Sequence, residues 1–167
     1  NVPGAILSQV YIQYTKDNSS VKVGRQYIST PLLEGSGSRI FKEAFEGVVV
    51  TNNDISDTII LAAFVDKEQY RTKIASGGTE VKDVSDFEQI QDGAYTLYVN
   101  NKSITNLNLD VQYLQIDSNT TNQDDTKAFY VTTAYDIKPF TIAFQTYQTD
   151  NGEDTNSRGK AYGINLT

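Results

Sequence analysis

Cysteine, methionine, tryptophan and histidine are all absent from the 167-residue sequence. Without cysteine there is neither a disulfide framework nor a thiolate metal site. Without histidine the usual general base and the commonest transition-metal ligand are missing too. The loss of easily oxidised side chains suits a harsh exterior. Only 3 prolines occur, so no Pro-rich linker divides the chain. No apolar run approaches the roughly 20 residues of a membrane-crossing helix, so no transmembrane segment is expected. Basic residues are in the minority, and the net charge of −7 disfavours nucleic-acid phosphates as partners.

What is present is strand chemistry. Tyrosine alone contributes 11 residues, and an amphipathic ring suits a half-buried pleated surface. Alternation or apolar runs mark Gly4 to Tyr14, Val21 to Ile28, Val48 to Val50, Ala94 to Val99, Leu107 to Ile116, Lys127 to Tyr135, Phe140 to Tyr147 and Lys160 to Leu166, with turn clusters between them. Thr58 to Val65, TIILAAFV, is continuously apolar, the pattern of a strand covered on both faces. In LNLDVQYLQI, Leu107, Leu109, Val111 and Tyr113 share one face, and the shift at Leu114 to Ile116 suggests a bulge. Asp66 to Ile74 is the one stretch of helical composition, and Thr79 to Val84 reads as a short edge strand. The expectation is an all-β fold, an antiparallel β-sandwich of the immunoglobulin or pilin kind, with a closed barrel as the alternative.

No pattern selects a catalytic site. The nucleophile motifs that need His or Cys are excluded, and Ser-x-x-Lys and P-loop sequences are absent. Asp83, Asp86 and Glu88 are the acids that could pair as in a glycosidase, but charged loops are more often solvated faces. Asp124-Asp125 and Asp150 to Asp154 could offer oxygen ligands to Ca²⁺, and plain acidic turns explain them better. Lys73, Lys127 and Lys160 adjoin strands where isopeptide bonds can form, or where lysine simply blunts an edge. The chain is expected to be neither an enzyme nor dependent on a cofactor or metal.

The amino-terminal strand allows two burials. Ile6, Ser8, Val10, Ile12 and Tyr14 lie on its greasier face. That face packs either in its own domain or in a neighbouring copy, as in donor-strand complementation. Asn-X-Ser/Thr sequons stand at Asn18, Asn101, Asn119 and Asn165, candidate N-glycan carriers. Together with the cysteine-free acidic composition, these features resemble the subunits of crenarchaeal thread-type surface filaments. That resemblance implies a donor strand at residues 1 to 14, a pilin-like sandwich at 15 to 167, covalent glycans, and identical subunits joined head to tail outside the cell, the signal peptide removed. A secreted β-sandwich binding carbohydrate or a surface layer is the alternative.

Overall fold

The computed structural model describes residues 7–35, 42–69, 87–120, 124–152 and 158–167. Eleven strands follow in order among them: β1 Val10–Lys16, β2 Ser19–Gln26, β3 Ser29–Thr30, β4 Leu33–Glu34, β5 Phe45–Asn52, β6 Thr58–Gln69, β7 Phe87–Asn101, β8 Leu107–Ile116, β9 Thr126–Ile137, β10 Phe140–Asp150 and β11 Arg158–Leu166. Nine form one sheet in the order β1-β2-β5-β6-β7-β8-β9-β10-β11, every neighbour pair antiparallel. Strands β3 and β4 make a separate small hairpin.

The all-β antiparallel expectation is met. The two-layer sandwich is not, because the described strands build one continuous meander with no second large sheet to face it. The expected boundary at residues 14 and 15 falls inside β1, which pairs from Val10↔Arg25 to Lys16↔Ser19 with β2 of its own chain.

The connections differ between the two ends of the sheet. At one end, Asp17-Asn18, 53–57, 102–106 and Lys138-Pro139 join adjacent strands in a few residues. Asp17, Asp57 and Asn106 hold φ of +52°, +55° and +66° there, a conformation that Asp and Asn tolerate through local hydrogen bonding. At the other end, 27–44, 70–86, 117–125 and 151–157 are longer. These are the turn end and the loop end below.

Residues directly opposed across a ladder share a face, so the registers sort every strand. One face carries Phe45, Val49, Leu61, Ala63, Val65, Ala94, Leu114 and Ile116, and onto these the β3–β4 hairpin folds through Ile28 and Leu33. This is the hydrophobic core: Val65 and Phe45 are almost wholly buried under a hairpin rather than between two sheets.

The cover over this patch explains two departures from the sequence reading. The ladder of β8 runs unbroken to Ile116, without the expected bulge; Leu114 and Ile116 are apolar because they meet the core under the hairpin. The register shifts fall instead between Glu46 and Gly47 and between Val65 and Lys67. The expected helix is also not formed where it can be seen. Asp66 to Gln69 continue β6, pairing with β5 and β7, since a short segment follows an existing hydrogen-bond ladder before its own propensity. Residues 70–74 and the proposed strand at 79–84 lie outside the described residues.

Candidate functional site

The two faces of the large sheet differ in chemistry. On the bare face, the registers align Ile12, Val23, Val48, Phe64 and Tyr95, and beside them Tyr14, Val21, Val50, Ala62, Leu97, Tyr113 and Phe129. Farther along the sheet the same face presents Val131, Tyr135, Ile142, Phe144, Tyr162, Ile164 and Leu166. Nothing among the described residues covers this belt, and Ile12 and Ile164 are each 81% exposed. An apolar surface this extensive is far larger than the patches that water-soluble monomers tolerate, so it marks a face that meets protein or lipid.

The belt has edges. Toward the loop end it stops at a charged row in which Arg25 Nε donates to Glu46 Oε2 at 2.9 Å and Lys67 Nζ lies 3.4 Å from Glu46 Oε1. Farther along, Arg158 Nε donates to Asp150 Oδ2 at 2.9 Å. Toward the turn end, Tyr14, Tyr135 and Phe140 place aromatic rings near the limit of the belt. Aromatic rings prefer such a boundary because one part of the ring is apolar and the other end polar.

The opposite face is polar wherever the hairpin leaves it. Asp110 Oδ1 accepts from the Tyr98 hydroxyl and from Asn100 Nδ2 at 2.9 Å, and Asp110 Oδ2 accepts from Asn108 Nδ2 at 3.3 Å. Asn100 Nδ2 also donates to Asn108 Oδ1 at 2.8 Å. Thr132 and Gln145 continue this polar wall across β9 and β10.

Where the hairpin crosses the same face, Gln112 fastens it. The Gln112 side chain is fully buried; its Nε2 donates to Thr30 Oγ1 and Thr96 Oγ1, both at 2.8 Å, and its Oε1 accepts from the Leu32 N–H at 2.8 Å. One side chain thus ties β3, the β3–β4 turn and β7 together. Sequence reading missed it, because a Gln in an alternating strand looks like a solvent-facing residue.

The residues singled out from sequence are scattered. Ile6 lies outside the described residues; Ser8 donates to Gln69 Oε1 at 3.3 Å; Val10, Ile12 and Tyr14 are exposed on the bare face of β1. Asn18 occupies the first tight turn, Asn101 donates to Thr58 Oγ1 at 2.7 Å, Asn165 sits near the turn end of β11, and Asn119 stands in a loop-end connection. Asp83, Asp86 and Lys73 lie outside the described residues, while Glu88 pairs with Glu68 across the β6–β7 ladder. Lys127 and Lys160 are exposed on the bare face.

Asp125 accepts from Ser118 N–H and Gln115 Nε2, and Asp150 accepts from Gly152 N–H and Arg158. Among the described residues no group of three or more acidic side chains is placed to hold a metal ion.

The chain's sequence matches the family model described as outer membrane porin, OprD family, over residues 12–97, just over half its length. Solved structures agree in fold. OccD3 (OpdP) of Pseudomonas aeruginosa superposes with a TM-score of 0.74 at 18% identity, over 97% of this chain and 40% of that one. OccK3 (OpdO) of the same organism gives 0.68 at 12% identity, over 93% and 42%. OccAB2 of Acinetobacter baumannii gives 0.66 at 19% identity, over 91% and 40%. The chain therefore spans about two fifths of the length of these porins. No curated protein matches the sequence.

These matches overturn the thread-filament reading, and with it the head-to-tail homopolymer, the extracellular filament location and the carbohydrate-binding alternative. The features that suggested a donor strand are those of any strand whose apolar face awaits cover. The expected absence of a transmembrane segment is corrected as well. No helix among the described residues is long and apolar enough to cross a membrane, but that criterion does not apply to strands, which cross with alternating rather than continuous apolar residues. The chain belongs to the OprD family of outer membrane porins.

Proposed function

We propose that this chain forms part of the wall of a closed, non-catalytic β-barrel channel that lets small polar solutes cross the outer membrane. The observation that carries the reading is the opposition of faces within single strands. In β9, Val131 faces the bare belt and Thr132 the polar wall; in β8, Val111 and Asp110 divide in the same way. A sheet with hydrocarbon on one side and water on the other makes both faces stable at once, and the family match favours that cover over a second protein layer.

The end asymmetry supports the same reading. Outer-membrane barrels have short periplasmic turns and longer external loops, which places the turn end in the periplasm and the loop end outside. The β3–β4 hairpin then folds from the outside into the lumen and narrows it, held by Gln112. The wall beside it offers amides, hydroxyls and the Asp110 carboxylate, groups that exchange hydrogen bonds with a polar solute in place of water.

Reconstitution of the purified protein into planar bilayers tests the proposal. Discrete conductance steps are expected, with Asp110→Asn shifting the reversal potential toward weaker cation preference. A protein that inserts fully yet conducts no ions and passes no small sugar in liposome swelling would refute it.

A further inference from the structure

The turn that follows β10 carries chemistry that a channel wall does not use. Asn151-Gly152 is the single Asn-Gly pair in the sequence. Next to glycine, a backbone nitrogen meets the preceding asparagine amide carbon with no Cβ in its way. Three hydrogen bonds act on the atoms that such a meeting joins. The Gly152 N–H, the nucleophile, donates to Asp150 Oδ1 at 3.2 Å. Asn151 Oδ1, on the carbon to be attacked, accepts from Thr149 Oγ1 at 3.1 Å. The carbonyl of the peptide group to which that nitrogen belongs, Asn151 O, accepts from Thr126 Oγ1 at 3.4 Å. The arrangement is held from outside. Arg158 Nε donates to Asp150 Oδ2 at 2.9 Å, and the Asp124 N–H donates to Gly152 O at 3.1 Å. Gly152 sits at φ +70°, where a Cβ would collide with the Asp124 carbonyl, so the position is kept for glycine.

We propose that Asn151 is a site of self-catalysed deamidation, with Asp150 as general base and Thr149 polarising the amide. The Gly152 nitrogen gives its proton to Asp150 and forms a bond to Asn151 Cγ, closing a five-membered succinimide. The Cγ–Nδ2 bond breaks, and the departing nitrogen takes the proton back from Asp150 and leaves as ammonia. Water then opens the ring at either carbonyl, leaving aspartate or isoaspartate at position 151. No electrons change hands, and water is the only co-reactant. Asn151 is exposed, so water has access. A base beside the nitrogen and a donor on the oxygen that gains charge are the two aids such a step needs. The product adds one negative charge at the loop end. Its isoaspartyl form also lengthens the backbone where Asp124 and Gly152 tie two neighbouring connections together.

The test follows Asn151 by peptide mass spectrometry in the full chain, incubated in neutral buffer either folded in lipid vesicles or unfolded in urea. Conversion in the folded chain is expected to be about fivefold faster than in urea, because the fold supplies the base and the donor in place. Asp150→Asn keeps an acceptor for the Gly152 N–H but is no base, and should slow the folded chain about tenfold. Thr149→Val should slow it about threefold. In urea the three chains should react alike. A folded rate no higher than the rate in urea overturns the proposal, as does a folded Asp150→Asn chain that reacts at the original rate. A product holding aspartate without isoaspartate would mean direct hydrolysis by water, with no ring, and overturns it equally.

Discussion

Gln112 shows how much structure one side chain can set. It satisfies the Leu32 N–H and two threonine hydroxyls in a site closed to water. Gln112→Leu keeps the volume but leaves the Leu32 N–H without its partner, and an orphaned buried donor costs about 1–3 kcal/mol. That cost falls on the docking of the hairpin rather than on the nine-stranded ladder. The expected outcome is faster proteolysis within residues 27–35 and a larger single-channel conductance, at unchanged β-sheet content by circular dichroism. Unaltered proteolysis and conductance would show that the apolar contacts of Ile28 and Leu33 suffice to hold the hairpin. The sequons yield to a residue-scale argument too. Asn18, Asn101 and Asn165 lie toward the turn end and Asn119 at the loop end, so a sheet that spans a bilayer cannot present all four to one compartment. Mass spectrometry of native material should find glycans at one end at most.

Individual strands carry the distinction between the apolar and the polar face in their two-residue period. Val131 and Thr132 are adjacent in β9 and point to opposite faces. An arginine near the midplane of the lipid face of a barrel costs about 2–4 kcal/mol, whereas the lumen side tolerates it. Val131→Arg is therefore expected to lower the folding free energy in lipid vesicles by about that amount. Thr132→Arg should lower it far less, each read from reversible urea titration in lipid. Equal losses would reject the assignment of faces. Most strands were legible in the sequence for the same reason: the alternation in Leu107 to Tyr113 and the run TIILAAFV fixed where β8 and β6 lie. The identity of the covering phase was not legible. Alternation records that one face is apolar, and protein and hydrocarbon give the same pattern, so the bare belt read as the buried side of a sandwich. The expectation that β6 is covered on both faces is met by the described residues on one face only. Its covers are the hairpin over Leu61, Ala63 and Val65 and, in the proposed reading, lipid over Ile60, Ala62 and Phe64. The polar wall around Asp110 escaped notice because its members, Tyr98, Asn100, Asn108 and Asp110, lie on two strands, and their meeting depends on a register that sequence does not print.

At the scale of the whole molecule, the belt decides the conditions under which the chain can exist as a single species. Its most exposed side chains, Ile12, Tyr14, Tyr162, Ile164 and Leu166, flank the sheet on both edges. Transfer from detergent into plain buffer should drive self-association, visible as rapidly sedimenting material, while dilution into lipid vesicles should give a monodisperse β-rich species. A stable monomer in buffer would contradict the lipid-facing assignment. The strand order has a different kind of consequence. Among the described residues, every large-sheet strand pairs with the next large-sheet strand along the chain, so none of these ladders depends on a segment from far away in the sequence. Copying or deleting one complete hairpin would change the circumference of such a wall by two strands and leave every remaining pair in register. An architecture of this kind can widen or narrow over generations by whole hairpins, with each intermediate still able to bury its backbone.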